Sequence, residues 1–177
     1  MKKLLLLSVL LIFACSNGQS KVIFDNITLP NDSFTKEIIS QSQINFVGSN
    51  PSEYVSVKIT YIGSSRKKLT GNKKASFDKL INENMTMKAK ENCSKAVLGL
   101  EYIKSEIDNK IKSTTNREVL VCYKKVIELS DAKTYLLQSQ FYEGDFGFTI
   151  TATSYEIENV SVNLRKIITQ IFKLKLN

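Results

Sequence analysis

Catalysis at neutral pH needs side chains that move protons or attack electrophiles, and this chain contains no histidine. The commonest general base is therefore missing, together with Ser–His and Cys–His nucleophile systems and the usual zinc ligands. Two carboxylate pairs lie close in sequence, Glu156/Glu158 and Glu143/Asp145. The first flanks a helix start, where acidic side chains complement the macrodipole. The second lies in a hairpin turn, where aspartate is ordinary turn chemistry. Glycosidase-type acid–base work needs two carboxylates facing each other across a cleft, and neither spacing provides that. Gly63-Ser-Ser-Arg-Lys-Lys-Leu-Thr-Gly71-Asn-Lys-Lys74 stands between a strand and a helix but lacks the phosphate-loop spacing. It reads as a basic loop. Arg66, Lys67, Lys68, Lys73 and Lys74 make it the expected contact for an anionic surface. The reading is of a non-enzyme that needs no cofactor and no metal.

The three cysteines carry the remaining chemistry. Lys2 and Lys3 form a short cationic segment, Leu4 to Phe13 is an almost unbroken apolar run, and Ala14 stands directly before Cys15. That run is too short to cross a hydrocarbon core of about 30 Å as a mature helix. It reads as a removable export signal over residues 1–14. The ending Ile12-Phe13-Ala14-Cys15 resembles a bacterial lipobox, in which a small residue precedes a cysteine that is lipidated and becomes the new N-terminus. Cys15 is thus the expected lipid attachment point, with residues 15–21 as the tether. Ser16 is not the aspartate that resembles an inner-membrane retention signal, and Ser16 to Ser20 carries no acidic stretch of the surface-display kind. Both point to the outer membrane of a bacterial envelope, facing the periplasm. Cys93 and Cys122 remain, an even pair in an oxidising space. A disulfide between them would close a loop of about 30 residues and contribute about 3 kcal/mol. The alternative is two buried free thiols acting as small hydrophobes.

Loss of the signal leaves about 160 residues, enough for one domain with its own core over 22–177. Apolar content of 42% with 24% charged residues is ordinary for a folded protein, so disorder is not the expectation. The net charge is +8, two units of which leave with Lys2 and Lys3. The charge reads first as surface lysines that keep the protein soluble, and second as attraction of an exported domain to anionic lipid or an acidic protein. No nucleic-acid-binding motif is present, so nucleic acid is excluded as the partner.

The elements that must position these residues read as follows. Val22-Ile23-Phe24 begins a strand, Phe34 to Ile39 fits either a strand or a helical turn, and Ile44 to Val47 is a short apolar run. Val55, Val57, Ile59 and Tyr61 alternate with polar residues as in a half-buried strand. Ser76 caps a helix running to about Asn92, with Phe77, Leu80, Ile81 and Met85 on one face. Val97 to Ile107 is read as a strand turning near Asp108-Asn109, and Arg117 to Leu129, rich in β-formers, as another. Thr134 to Tyr142 and Phe146 to Ala152 form a hairpin through Glu143-Gly144-Asp145, with the glycine supplying positive φ. Thr153-Ser-Tyr-Glu156 has capping-box spacing for a last helix whose stripe is Ile157, Val160, Leu164, Ile167, Ile168, Ile171 and Phe172. Strands segregated from helices imply an α+β fold with an antiparallel sheet.

Tyr135 to Thr153, followed by a helix ending Ile168-Thr-Gln-Ile-Phe172, resembles the C-terminal half of PsbP-like and DcrB-like domains. In that family two strands joined by a short turn, then an amphipathic helix, close an α-β-α sandwich. The resemblance covers residues 44 to 177 by pattern. It implies a non-enzymatic lipoprotein that works through protein–protein contacts. A toxin-neutralising immunity lipoprotein and a carrier of a small hydrophobic ligand are the alternative expectations.

Overall fold

The computed structural model describes residues 20–29, 33–50, 52–63, 70–127, 133–174 and 176. Cys15 and the predicted signal lie outside the described residues, as do Arg66, Lys67 and Lys68. Seven strands form one antiparallel sheet: β1 (Phe34–Ser40), β2 (Gln43–Gly48), β3 (Tyr54–Tyr61), β4 (Leu100–Ile107), β5 (Leu120–Val126), β6 (Thr134–Glu143) and β7 (Phe146–Ser154). Their spatial order is β1-β2-β3-β7-β6-β5-β4. Four helices among the described residues cover it: α1 (residues 20–25), α2 (Gly71–Ser94), α3 (Asn109–Thr115) and α4 (Ile157–Lys173). The fold class is α+β, with helices on both faces of the sheet.

The core lies between the sheet and α4. Alternation places Val55, Val57 and Ile59 of β3, Phe146, Phe148 and Ile150 of β7, and Leu137 and Phe141 of β6 on the face beneath that helix. Val160, Leu164, Ile167, Ile168 and Ile171 answer from α4, each essentially inaccessible to water. Burying an isoleucine of this kind is worth about 2–3 kcal/mol, so this stripe decides where the helix sits. The hairpin turn is as expected, with Gly144 at φ +60°.

Several local expectations are corrected. Residues 22–24 are helical: the neighbours Ile23 and Phe24 are both buried, which a strand's alternation could not achieve, and Ile27 is buried just beyond the helix. Lys36 on β1 completes that segment by donating to the carbonyls of Phe24 and Ile27. Ser20, within the expected tether, is already buried in α1. α2 starts at Gly71, five residues before Ser76, behind an extended Thr70 whose side chain makes no capping bond. No cap chemistry marks that start, and Lys73 and Lys74 therefore belong to a helix and not to a loop. Its inward residues recur every four, at Phe77, Ile81, Met85, Ala89 and Cys93, while Leu80 turns outward.

The turn expected at Asp108-Asn109 contains α3, a seven-residue helix. Asp108 Oδ1 accepts from the backbone N–H groups of Lys110 and Ile111, 2.9 Å from each. At the other end Asn116 adopts φ +56°, a left-handed conformation that asparagine tolerates. That reversal delays β5, which starts at Leu120 and not Arg117, and ends at Val126. Finally, the start of α4 is Glu156 without a side-chain cap bond. Thr153 remains in β7, and its hydroxyl donates to the Ser52 carbonyl at 2.7 Å.

Candidate functional site

β6 is longer than its neighbour. It pairs with β7 as far as Glu143↔Phe146, but its pairing with β5 ends at Ser139↔Val121. The late start of β5 thus leaves Gln140 to Glu143 without a strand partner on that side. A groove of about 610 Å³ fills this place. Phe141 and Tyr142 of β6, with Phe172 of α4, give it an aromatic floor. α2 forms one wall through Glu83, Met87 and Lys90, and Arg117 and Glu118 of the α3–β5 connection form the other.

The floor is fixed by ring packing. Phe141 stacks on Phe148 at a centroid distance of 5.3 Å and meets Phe172 at 4.9 Å. Arg117 lies over the Phe172 ring at 5.8 Å and bridges Glu143 at 3.0 Å. Lys112 donates to Glu118 at 2.7 Å, and this hydrogen bond, reinforced by the ammonium charge, holds the Glu118 carboxyl below its ordinary range. Lys79 lies 3.8 Å from Glu83. Lys90 takes part in no ion pair among the described residues. Met87 is 54% exposed and stands at the groove's mouth.

Such an arrangement can bind but is poorly placed to move protons. Lys112 beside Glu118 stabilises its ionised form, which works against a general acid there. The sequence carboxylate pairs do not converge on it. Asp145 is buried against Gly63, its backbone carbonyl accepting from Ile62 N–H at 2.8 Å. Glu156 accepts from Asn159 at 2.8 Å, at the far end of α4. Among the described residues, no cluster of three or more carboxylates or cysteines converges as metal ligands, and no helix is long and apolar enough to cross a membrane.

Of the residues singled out by sequence, the structure brings together Cys93 and Cys122, with sulfurs 2.04 Å apart. The bond ties the C-terminal end of α2 to β5. Lys73 is exposed in the first turn of α2, and Lys74 follows it in the helix. The groove residues escaped sequence reasoning. Phe141 and Phe172 left a trace, as members of the β6 and α4 apolar patterns, whereas Arg117 and Met87 acquire a role only through the overhang of β6.

No family model matches the chain, and no curated protein matches it. Among solved structures, the Saccharomyces cerevisiae Ran-binding protein Mog1p is similar at 8% identity and a TM-score of 0.37, over 84% of this chain and 85% of that one. A similarity of that size says nothing about what this chain does.

Proposed function

We propose that this chain is a lipid-anchored protein of a bacterial envelope, of the PsbP-like or DcrB-like kind, acting without catalysis through contact with another protein. The observation that carries it is the order Lys2-Lys3, Leu4–Phe13, Ala14-Cys15: a cationic start, a short apolar run and a small residue before cysteine. The Cys93–Cys122 bond supports an oxidising compartment. Ser16 after the lipid cysteine favours the outer membrane, with the domain in the periplasm. The groove beside β6 is the contact surface in this reading, since an aromatic floor within a charged rim has the anatomy of a protein interface. Its occupant is an extended partner segment that places an apolar side chain on Phe141 and Phe172 and a carboxylate on Lys90.

Two measurements test this. Labelled palmitate should enter the wild-type chain and be lost in Cys15→Ser, and equal incorporation in both sinks the anchor. A photo-crosslinking residue at Met87 should trap one defined envelope protein, with the yield falling roughly tenfold in Lys90→Glu. Equal trapping from Lys58, exposed on β3 away from the groove, would remove the groove from the reading.

A further inference from the structure

A second opening lies on the same face of the sheet as the core helices. It is a cleft of about 360 Å³ between α3 and α4. Lys110 and Thr114 line it from α3, and Arg165, Lys166, Thr169 and Lys173 line it from α4. The α4 residues recur at three- and four-residue spacing and so share one helix face. Among the described residues, no carboxylate lines the cleft. Asp108, which Arg165 engages, is buried with one oxygen on the α3 N–H groups and the other on that guanidinium. Lys110, Lys166 and Lys173 make no ion pair among the described residues. Three ammonium groups with no ion-pair partner among the described residues stand around a cleft that also holds the Thr169 hydroxyl, and such a set is suited to phosphate oxygens; the Thr114 hydroxyl is already donated to the Lys110 carbonyl at 2.8 Å.

The path of the N-terminal segment adds a second constraint. Thr28 N–H donates to Gln170 Oε1 at 3.0 Å, and Gln170 Nε2 donates back to Thr28 Oγ1 at 3.3 Å. Gln170 also lines the cleft, so Thr28, where the N-terminal segment meets α4, lies at its edge. From Cys15 to Ser20 is five residues, which span at most about 18 Å even when fully extended. Acyl chains on Cys15 would therefore hold the α1/α4 layer close to the bilayer.

We infer that the α3–α4 cleft docks on anionic phospholipid headgroups, with Lys110, Lys166 and Lys173 taking the phosphate oxygens. The inference rests on the lipid-anchor reading, which supplies the membrane. It orients the domain with the α3/α4 face inward and turns the face that carries α2 and Lys58 outward.

Amine-reactive footprinting of the full chain, in membranes of phosphatidylglycerol or of phosphatidylcholine, tests this in one molecule. Acetylation at Lys110, Lys166 and Lys173 should be roughly fivefold slower in phosphatidylglycerol. Lys58, Lys73 and Lys79 should label at one rate in both. Equal labelling of the cleft lysines in the two lipids overturns the inference, as does protection at Lys73 in their place. Equal protection by inorganic phosphate in phosphatidylcholine membranes also overturns it, since the cleft would then be a site for soluble anions. A Lys110→Gln/Lys166→Gln variant with unchanged thermal midpoint should lose the lipid-dependent protection at Lys173. The mass of the N-terminal peptide separates the two readings. A bare Cys15 sinks the anchor, and the cleft is then judged by the same lipid comparison with vesicles added to the protein.

Discussion

Arg165 Nε lies 2.7 Å from Asp108 Oδ2, joining α4 to the residue that caps α3. The Asp108 side chain is 3% exposed and that of Arg165 25%, so the pair is screened by protein on one side and wetted on the other. One carboxylate thereby terminates one helix and grips another.

Asp108→Ala should accordingly cost about 3 kcal/mol, combining a lost cap with a partly buried guanidinium left without its partner. Asp108→Asn keeps the oxygen that faces the α3 N–H groups and should cost about half as much. Urea unfolding of the two variants measures both. Equal midpoints for wild type and Asp108→Ala would refute the role.

Tyr123 gives the protein an alkaline limit. Burial pushes its hydroxyl up to about 12, with the charges of Glu106 and Asp108 adding in the same direction. In the unfolded chain the group titrates near its ordinary 10.0. Between those values the folded protein keeps a proton that the unfolded chain has released. Its stabilising contribution is complete below pH of about 10 and is lost as pH rises towards about 12. Tyr123→Phe has nothing to titrate there, so the stability gap between wild type and variant should change with pH across that window. A constant gap in alkaline urea titrations would exclude the linkage.

Reduction should loosen α2 selectively. The helix turns only a narrow, half-buried stripe to the sheet, and Cys93 is its one fully buried residue among those described. The 29-residue separation implies about 3.5 kcal/mol in the chain-entropy model. Cys93→Ala/Cys122→Ala should lose roughly that amount, with amide exchange in α2 accelerating more than in α4. Mass spectrometry of the unreduced chain should link the two cysteine peptides, and two alkylatable thiols would defeat the prediction.

Two glycines separate strain from crowding. Gly99 has φ +79° and open space within 4 Å of where a Cβ would stand, so Gly99→Ala should cost about 1 kcal/mol of backbone strain. Gly144 has φ +60°, and a Cβ there would sit against the Leu176 carbonyl oxygen, far inside van der Waals contact. Gly144→Ala should therefore cost clearly more, about 3 kcal/mol, read from the shift in thermal midpoint. Equal costs for the two would show that the Leu176 contact gives way freely.

Patterns repeated within one element survived translation into structure. The alternation of Val55, Val57 and Ile59, the hairpin through Gly144 and the Ile167/Ile168/Ile171 stripe each report a face that a single strand or helix must bury. Where the sequence reading failed, the deciding contact was remote. Val22 to Phe24 has strand composition, yet Lys36 and the core select a helix. α3 has a single buried residue, Ile111, too few for any periodicity to show. β5 starts late because Asn116 reverses the chain, a conformation visible only in the backbone.

Residue type and near spacing were enough to show a short apolar run ending at Ala14-Cys15, an even pair of further cysteines, the lack of histidine and an α+β order of elements. Where surfaces form was settled by the assembled fold. The groove exists because β6 outruns β5, and the cleft exists because a buried carboxylate holds Arg165 across a separation of 57 residues. Local pattern states which side of an element avoids water. Overhang, wall and cleft arise from how far neighbouring elements extend past one another, and no single element encodes that.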